Sequence, residues 1–377
     1  FSCGGTHEPP VEDASSSDAP ATAELPSIVD EGSPPVLDTS PSDQGGFEKD
    51  FETELPPDSS HWRSVLFPEG WTPDATLESG QFLHDFSYAG YRNSESPIPT
   101  ELDLPVFSIS DFGAVEGEDA TLAIQSTIDA ATEAGGGIVS IPEGLYRCDD
   151  LLIVSASNVV LRGAGSEKSR LYFSRHLDMS DKSHIVFRGN LTTSPEILLV
   201  SDGENRSSWL EVADASTLLV GDDVAVGWEI SEQFIDEHGM VGTWKAFNGQ
   251  WVPFFRREIV AIDSSSEPHR IQLDVPIRYP ALLRDGASVK KESGYISEVG
   301  VQDLGLSNAV GFEEAWSNVR VHLVEFRGVK DGWIERLRSF DSPLAHDADD
   351  GVRKHLQNGG AVVRASKRVS VHDTTME

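Results

Sequence analysis

The stretch that decides the fold runs from residue 106 to residue 163 and reads VFSISDFGAVEGEDATLAIQSTIDAATEAGGGIVSIPEGLYRCDDLLIVSASNVVLRG. In its first half, apolar residues recur as on one face of an amphipathic helix, at Ile124, Ile128 and Ala131. From Ile138 onwards, short runs with a period of two are separated by turn residues, which predicts short strands. We therefore expect one helix followed by a series of strands.

Signals for both ends of the helix are present. Asp119 is predicted as the N-cap, because its side chain can accept a hydrogen bond from a free backbone N–H of the first turn. The three glycines at 135–137 are predicted to end the helix, because glycine takes a positive φ without steric cost.

A weak internal repeat follows the first strands. The sequence SNVVLRG at 157–163 recurs as SHIVFRG at 183–189, an offset of about 26 residues that falls within the range of solenoids. A helix ahead of a strand coil suggests a cap, because the first rung of a solenoid would otherwise expose apolar side chains and unpaired backbone.

The same residues resemble the opening of the pectate-lyase-like superfamily, which includes rhamnogalacturonase and epimerase-like members. The segments that carry the resemblance are Phe107–Ala114, Ala123–Gln125, Ile128–Ala131, Gly135–Gly137 and Ile141–Gly144 with Tyr146. The resemblance covers about residues 106–190 and continues in pieces towards the C-terminus. It implies an all-β fold, namely a right-handed single-stranded parallel β-helix, to which the sequence pattern adds an N-terminal capping helix and a β-rich insertion.

Composition and pattern predict five segments. They are an acidic disordered linker at 1–60, an aromatic-rich segment packing on the solenoid at 61–105, the start of the β-helix at 106–189, a β-rich insertion at 190–293 and the continuing β-helix at 294–377. Later rungs are predicted at 299–306, 332–337 and 369–373, with loops projecting between them. No closing element is visible after the last of these, so we expect further rungs beyond this chain.

The linker suggests a location. Residues 1–60 hold 14 acidic residues against one basic residue, Lys49, and little that is apolar, so they cannot offset the entropy cost of ordering. Cys3 ahead of such a linker resembles the processed end of a bacterial lipoprotein, in which Cys3 would carry the lipid. The alternative is an incidental cysteine near an arbitrary start. We expect an extracytoplasmic protein, at the outer membrane, the cell surface or in the periplasm.

Charge limits the partners. The formal net charge of −34 argues against nucleic acid, because phosphate binding needs Lys and Arg. It also disfavours polyanionic sugars unless the local charge at the site differs. Residues 317–377 permit that exception, with 9 acidic and 10 basic residues. No apolar run approaches the roughly 18 residues that span a bilayer, so we expect membrane contact only through a lipid. We also expect the protein to be a monomer.

Two aromatic stretches have two interpretations each. The segment at 61–105 is predicted either to stack on sugars or to pack on the solenoid. The loop at 235–255 either overhangs a substrate cleft or forms the core of the insertion.

The best local cluster of candidate catalytic residues lies at 336–373. Elimination on a uronic acid needs a cation that neutralises the carboxylate, a base for the C5 proton and an acid for the leaving oxygen. Arg336 is predicted as the neutralising group, and His346 or His372 as the base or acid. The alternative for His372, which stands beside Asp373 on a strand, is a structural residue satisfied by a neighbouring rung.

Hard oxygen ligands stand close to these residues. Asp347, Asp349 and Asp350 offer the ligands that Ca²⁺ prefers, although their spacing is not that of an EF-hand loop. The alternative is a solvated acidic loop.

These observations predict an extracytoplasmic carbohydrate-active enzyme with a polysaccharide partner, namely a lyase that cuts an acidic glycan by β-elimination. The first alternative is a glycoside hydrolase of the same fold, for which only the bare pair Asp349–Asp350 matches the polygalacturonase signatures. The second is a non-catalytic glycan-binding solenoid at the cell surface.

Overall fold

The computed structural model describes residues 63–244, 248–310, 321–343 and 359–377, which lie in one compact unit, Arg63–Glu377. Three parallel sheets in this unit form the three faces of a right-handed parallel β-helix, as predicted. The first sheet contains β1 (Val106–Ser108), β2 (Gly137–Ile141), β5 (Val159–Gly163), β15 (Ile296–Gln302), β18 (Val329–Glu335) and β21 (Lys367–His372). The second contains β3 (Gly144–Cys148), β6 (Ser169–Phe173), β16 (Gly305–Asn308) and β19 (Arg338–Ser339). The third contains β4 (Leu152–Val154), β7 (Ser183–Arg188), β17 (His322–Arg327) and β20 (Gly359–Arg364).

Among the described residues, four rungs contribute one strand to each sheet, and the first sheet has two more strands, β1 and β21. The three later rungs predicted from the sequence are paired in parallel register, with Val299 opposite Gly332 and Gly332 opposite Val369. The prediction of rungs at these positions is therefore confirmed.

The offset of about 26 residues between the two copies of the repeat is not the spacing between successive rungs. The interpretation of this offset as the period of the solenoid is therefore wrong. The first copy forms β5 in the first sheet, whereas the second copy forms β7 in the third sheet, where it pairs with β4. The two copies look alike because strands on any face of a β-helix alternate inward apolar and outward polar residues in the same way.

The capping helix is α1 (Thr121–Glu133), and its buried residues include Ile124, Ile128 and Ala131, as predicted. Gly135 follows it with φ 83°, which agrees with the predicted glycine stop. The predicted N-cap is wrong by one residue, because Ala120 occupies that position. Asp119 still accepts hydrogen bonds from Thr121 N at 3.0 Å and from Asp149 N at 3.2 Å, so it ties the helix start to the end of β3.

The β-rich insertion lies between β7 and β15, and it is an antiparallel sheet with a core of its own around the buried Trp228. Its strands are β8 (Thr192–Thr193), β9 (Ile197–Leu198), β10 (Trp209–Val212), β11 (Asp223–Glu229), β12 (Trp251–Asp263), β13 (His269–Leu273) and β14 (Ser288–Ser293). A short helix, α2 (Glu232–Glu237), follows β11.

The residues before β1 cover the outer face of the first sheet. Tyr91, in a 3₁₀ turn at Tyr91–Ser94, is buried against Val160 and Trp333. Its hydroxyl donates to Glu298 Oε2 at 2.6 Å, and its ring meets Trp333 edge-on with centroids 5.6 Å apart. Among the described residues, no helix combines the length and apolarity that crossing a membrane requires.

Candidate functional site

A polar row runs across the outer face of the first sheet, parallel to the solenoid axis. The pairing register stacks Arg162, Gln302, Glu335 and His372 on consecutive rungs. These positions face outward because the alternate positions, such as Val301 and Ile334, point into the core.

The predicted residue His372 stands at the last described position of this row. Its Nε2 lies 3.2 Å from Glu335 Oε1, and its Nδ1 lies 3.1 Å from Asp373 Oδ2. Its side chain is 42% exposed, so its ring remains accessible to a ligand. The contact with Glu335 of the neighbouring rung agrees with the structural interpretation of His372.

The predicted residue Arg336 follows Glu335 directly, and the structure brings it close to His372. Its Nε and Nη2 donate to the two oxygens of Asp303 at 2.6 and 2.8 Å, and its Nη1 lies 2.5 Å from Glu335. These contacts raise the pKa of Arg336, with the Asp303 hydrogen bonds as the largest cause. Burial acts to raise the pKa of Asp303, but the bonds from Arg336 and the other neighbours lower it overall. Two carboxylates therefore already balance the charge of Arg336.

The remaining predicted site residues lie outside the described part of the chain. They are Cys3, His346, Asp347, Asp349 and Asp350. Their roles stay predictions.

One group of His, Cys, Asp and Glu side chains among the described residues is close enough to hold a metal ion. It consists of Glu335, His372 and Asp373, whose ligand atoms lie within 4.8 Å of one another. Ca²⁺ takes about six to eight oxygen ligands, whereas this group offers an imidazole whose two nitrogens both face carboxylates. The group therefore does not fit the Ca²⁺ expected from the sequence.

A second candidate site is a pocket of about 290 Å³ where three segments of the chain meet. The segment before β1 contributes Tyr88, Ala89 and Asn93, the insertion contributes residues around β12 and β13, and the start of β21 contributes the third wall. Five cationic side chains and a single carboxylate, Asp274, line it; the cations are Arg256, Arg257, Arg278, Lys367 and Arg368. We call this the arginine pocket.

Three of the five cations have acidic partners. Arg256 lies 3.3 Å from Glu292, and Lys367 lies 2.7 Å from Asp223. Arg368 lies 3.0 Å from Glu258 and 2.8 Å from Asp331. These pairs fix the walls of the pocket and leave little free charge.

Arg257 and Arg278 form no ion pair with the described residues. Arg257 donates to the main-chain oxygens of Val275, Pro276 and Arg256 at 2.8, 3.1 and 2.9 Å. Arg278 donates to the main-chain oxygen of Asp85 at 2.7 Å. A guanidinium has five N–H donors, so both side chains keep donors for a ligand. The arrangement suits a carboxylate or a similar planar anion.

The arginine pocket and the predicted pair of Arg336 and His372 are separate. Lys367 begins β21 and His372 ends it, which corresponds to roughly 16 Å along an extended strand. Between them, Ser370 Oγ accepts a hydrogen bond from Tyr91 N at 2.9 Å, so the 3₁₀ turn covers the middle of the strand.

Sequence reasoning did not identify the arginine pocket. The dipeptide Arg256–Arg257 beside the aromatic loop was a visible signal. The three walls, however, are far apart in sequence, and the pattern does not show that Arg256 pairs with Glu292 whereas Arg257 pairs with no carboxylate of the described residues.

Comparison with known proteins gives a short local match. No protein-family model matches the chain. A stretch of 67 residues, 16% of the chain, is 45% identical to mannuronan C5-epimerase AlgE3 of Azotobacter vinelandii, over 4% of that protein. The same identity and length hold for alginate lyase 7 of Azotobacter vinelandii, over 8% of that protein. The chain thus matches less than a tenth of the length of these curated relatives.

Solved structures similar to the chain are parallel β-helix proteins. The tailspike gp61 of Pseudomonas phage phi297 has 15% identity and a TM-score of 0.41, covering 73% of this chain and 49% of its own. The A-module of mannuronan C-5 epimerase AlgE6 of Azotobacter vinelandii has 17% identity and a TM-score of 0.28, covering 62% and 37%. At these values the likeness does not extend to function.

Proposed function

We propose that the chain is part of an extracytoplasmic carbohydrate-active enzyme, a lyase that cuts an acidic polysaccharide of the mannuronan type by β-elimination. The observation that carries the proposal is the charge of the arginine pocket. In a chain with a net charge of −34, two of the five cations of this pocket, Arg257 and Arg278, have no acidic partner among the described residues, and a single carboxylate, Asp274, lines the same pocket.

The arginine pocket supplies positive charge for binding an acidic polymer. Most of the surface repels a polyanion, whereas Arg257 and Arg278 attract one and have free N–H donors for its carboxylate. The local identity to an alginate lyase and to mannuronan C5-epimerases supports a uronate polymer as the ligand.

The reaction proposed for Arg336 and His372 is an elimination. A base removes the C5 proton next to the sugar carboxylate, the electron pair forms the C4–C5 double bond, and the C4–O bond breaks as the leaving oxygen takes a proton. His372 is the proposed base, and the ring nitrogen that takes the proton would have to turn away from the carboxylate that it faces. Arg336 is the proposed partner of the sugar carboxylate, which would have to displace Asp303. His346 is the proposed acid.

The test uses the full chain and polymannuronate. The lyase produces unsaturated uronate, detected by its ultraviolet absorbance, and His372→Ala lowers the rate by about a hundredfold or more. The assay is repeated with a chelator, because Asp347, Asp349 and Asp350 are proposed to bind Ca²⁺; an unchanged rate would remove the ion from the proposal.

Binding is measured separately. Arg278→Gln, which removes one main-chain hydrogen bond and one free cation, weakens polymannuronate binding by about tenfold. Arg270→Gln is the matched control, because Arg270 is an exposed arginine of the insertion that pairs with Asp263. Equal affinity of both variants and the native chain would rule out the pocket as the binding site.

Epimerisation is the second candidate, favoured by the local identity to mannuronan C5-epimerases. It begins with the same removal of the C5 proton, but a proton returns to the opposite face and the chain is not cut. Proton NMR of the treated polymer separates the two reactions, since an epimerase changes the sugar at C5 without producing unsaturated ends.

Two further outcomes would replace the lyase. New reducing ends without unsaturated uronate would identify a glycoside hydrolase. Binding without any turnover, unaffected by His372→Ala, would identify a glycan-binding solenoid.

Whichever of these activities the protein has, we propose that it is attached to the membrane through a lipid on Cys3. Mass spectrometry of the native protein would detect this lipid.

A further inference from the structure

Three partly exposed aromatic rings of the insertion surround the buried Phe234, at 6.0 to 6.2 Å between centroids. Trp244 and Phe254 are each 36% exposed and Tyr279 is 37% exposed. Phe254 stacks on the buried Trp228 with centroids 3.8 Å apart and planes at 5°, and Tyr279 stacks on the same ring at 5.9 Å and 24°. We call these three residues the aromatic surface.

Phe234 and His238 pack against the rings of the aromatic surface and fix their positions. Phe234, which is buried, contacts Phe254 at 6.0 Å and Trp244 at 6.2 Å between centroids. Tyr279 Oη lies 3.0 Å from His238 Nε2. The rings are therefore fixed before any ligand arrives, which lowers the entropy cost of binding.

The aromatic surface adjoins the arginine pocket through Phe254, whereas Trp244 lines a separate cavity beside α2. Tyr279 directly follows Arg278 of the arginine pocket. Single exposed apolar residues are ordinary, but three neighbouring rings beside a cationic pocket mark a ligand surface.

We propose that the aromatic surface is a second subsite, which stacks on sugar rings of the same acidic glycan whose carboxylate occupies the arginine pocket. A pyranose ring presents C–H groups on its faces and hydroxyls at its edge, so an aromatic ring covers a face while the hydroxyls stay in water. The inference rests on the proposed function. It adds that the arginine pocket and the aromatic surface together bind several successive sugars of one polysaccharide chain.

The test compares monomeric mannuronate with its hexamer by calorimetry. The monomer fills the arginine pocket alone, whereas the hexamer also reaches the aromatic surface. Tyr279→Ala weakens hexamer binding by about fivefold to tenfold and leaves monomer binding unchanged. Tyr279→Phe keeps the ring and therefore keeps the affinity for the hexamer. Trp244→Ala gives a second, independent measurement if Tyr279→Ala fails to fold.

The matched control is Trp209→Ala, since Trp209 is 37% exposed on β10 and lies outside the aromatic surface. Hexamer binding that depends on Arg278 but not on Tyr279 or Trp244 would overturn the aromatic surface and leave the proposed function intact. A native chain that binds neither ligand would overturn both. An equal loss in Tyr279→Phe and Tyr279→Ala would show that the hydroxyl, and not ring stacking, is responsible.

Discussion

Arg257 illustrates how burial prepares a side chain for an anion. Burial lowers the pKa of Arg257 to about 10; Asp274 opposes this shift and Arg278 adds to it. The guanidinium is still charged at neutral pH, but it has lost part of its hydration. A carboxylate bound beside it would replace that hydration. The desolvation cost of the charged guanidinium in the empty pocket therefore favours an acidic ligand.

His184 gives a prediction for stability against pH. It is fully buried, stacked on Phe173 with centroids 4.8 Å apart and 3.2 Å from the Asn308 amide. Burial, aided by the charge of Arg175, lowers its pKa to about 3. The unfolded chain binds a proton near pH 6.5 and the folded chain does not, so this contribution to stability is present above that pH and is lost as the pH falls below it.

Urea unfolding at about pH 7 and about pH 5 measures this loss, which we expect to be about 2 kcal/mol from His184. His184→Gln cannot titrate and should lose correspondingly less between the two pH values, whatever its stability at neutral pH. The same pH-dependent loss in both proteins would contradict the prediction.

At the scale of elements, Tyr91 holds the segment before β1 on the first sheet. Tyr91→Phe removes the hydrogen bond to Glu298 and is expected to cost about 1 to 3 kcal/mol, because the acceptor is charged. Tyr91→Ala also leaves a cavity beside Trp333 and is expected to cost about 3 to 5 kcal/mol.

Limited proteolysis locates the effect of Tyr91→Ala. Cleavage should increase within residues 63–105 before it increases in the β-helix. Val65→Ala, at a side chain 75% exposed in the same segment, is the control and should leave the digestion pattern unchanged. Uniform cleavage along the chain would mean that Tyr91 stabilises the whole molecule instead of this segment.

Most elements were predictable because each has a local signal. The spacing of Ile124, Ile128 and Ala131 fixes the buried face of α1, and alternation identifies the strands of the rungs and the insertion. Which sheet a strand joins is not a local property, which explains the wrong reading of the repeat. In the aromatic loop at 235–255, Ile235 lies in the core of the insertion, in agreement with one interpretation, whereas Trp244 and Phe254 are partly exposed. The overhang above a substrate cleft stays a prediction.

The candidate site was less predictable than the fold. The proximity of Arg336 and His372 follows from the one-rung offset between β18 and β21, and the sequence shows that offset. The contact between Arg336 and Asp303 needs the register of a third rung. The arginine pocket needs three segments at once, so only the folded molecule reveals it.

At the scale of the whole molecule, Gly300 leaves room for Trp333, and Trp333 in turn supports Tyr91 of the segment that covers the first sheet. The Trp333 ring of the next rung lies over Gly300, and a Cβ at this position would overlap the ring. Gly300→Ala should therefore displace Trp333 and with it Tyr91, at a cost of about 1 to 3 kcal/mol.

Thermal unfolding and tryptophan fluorescence check this outcome. Ser140→Ala, at an outward position of the same sheet, is the control and should change neither signal. A native-like melting temperature and spectrum for Gly300→Ala would show that the sheet adjusts around the added methyl group.

The three walls of the arginine pocket also set an order of events during folding. The first wall comes from Tyr88, Ala89 and Asn93, and the last includes Lys367 and Arg368, so the pocket is complete only when β21 has paired with β18. Removal of β21 alone would therefore take away two of the five cations together with one wall, while the earlier rungs keep their pairing with one another.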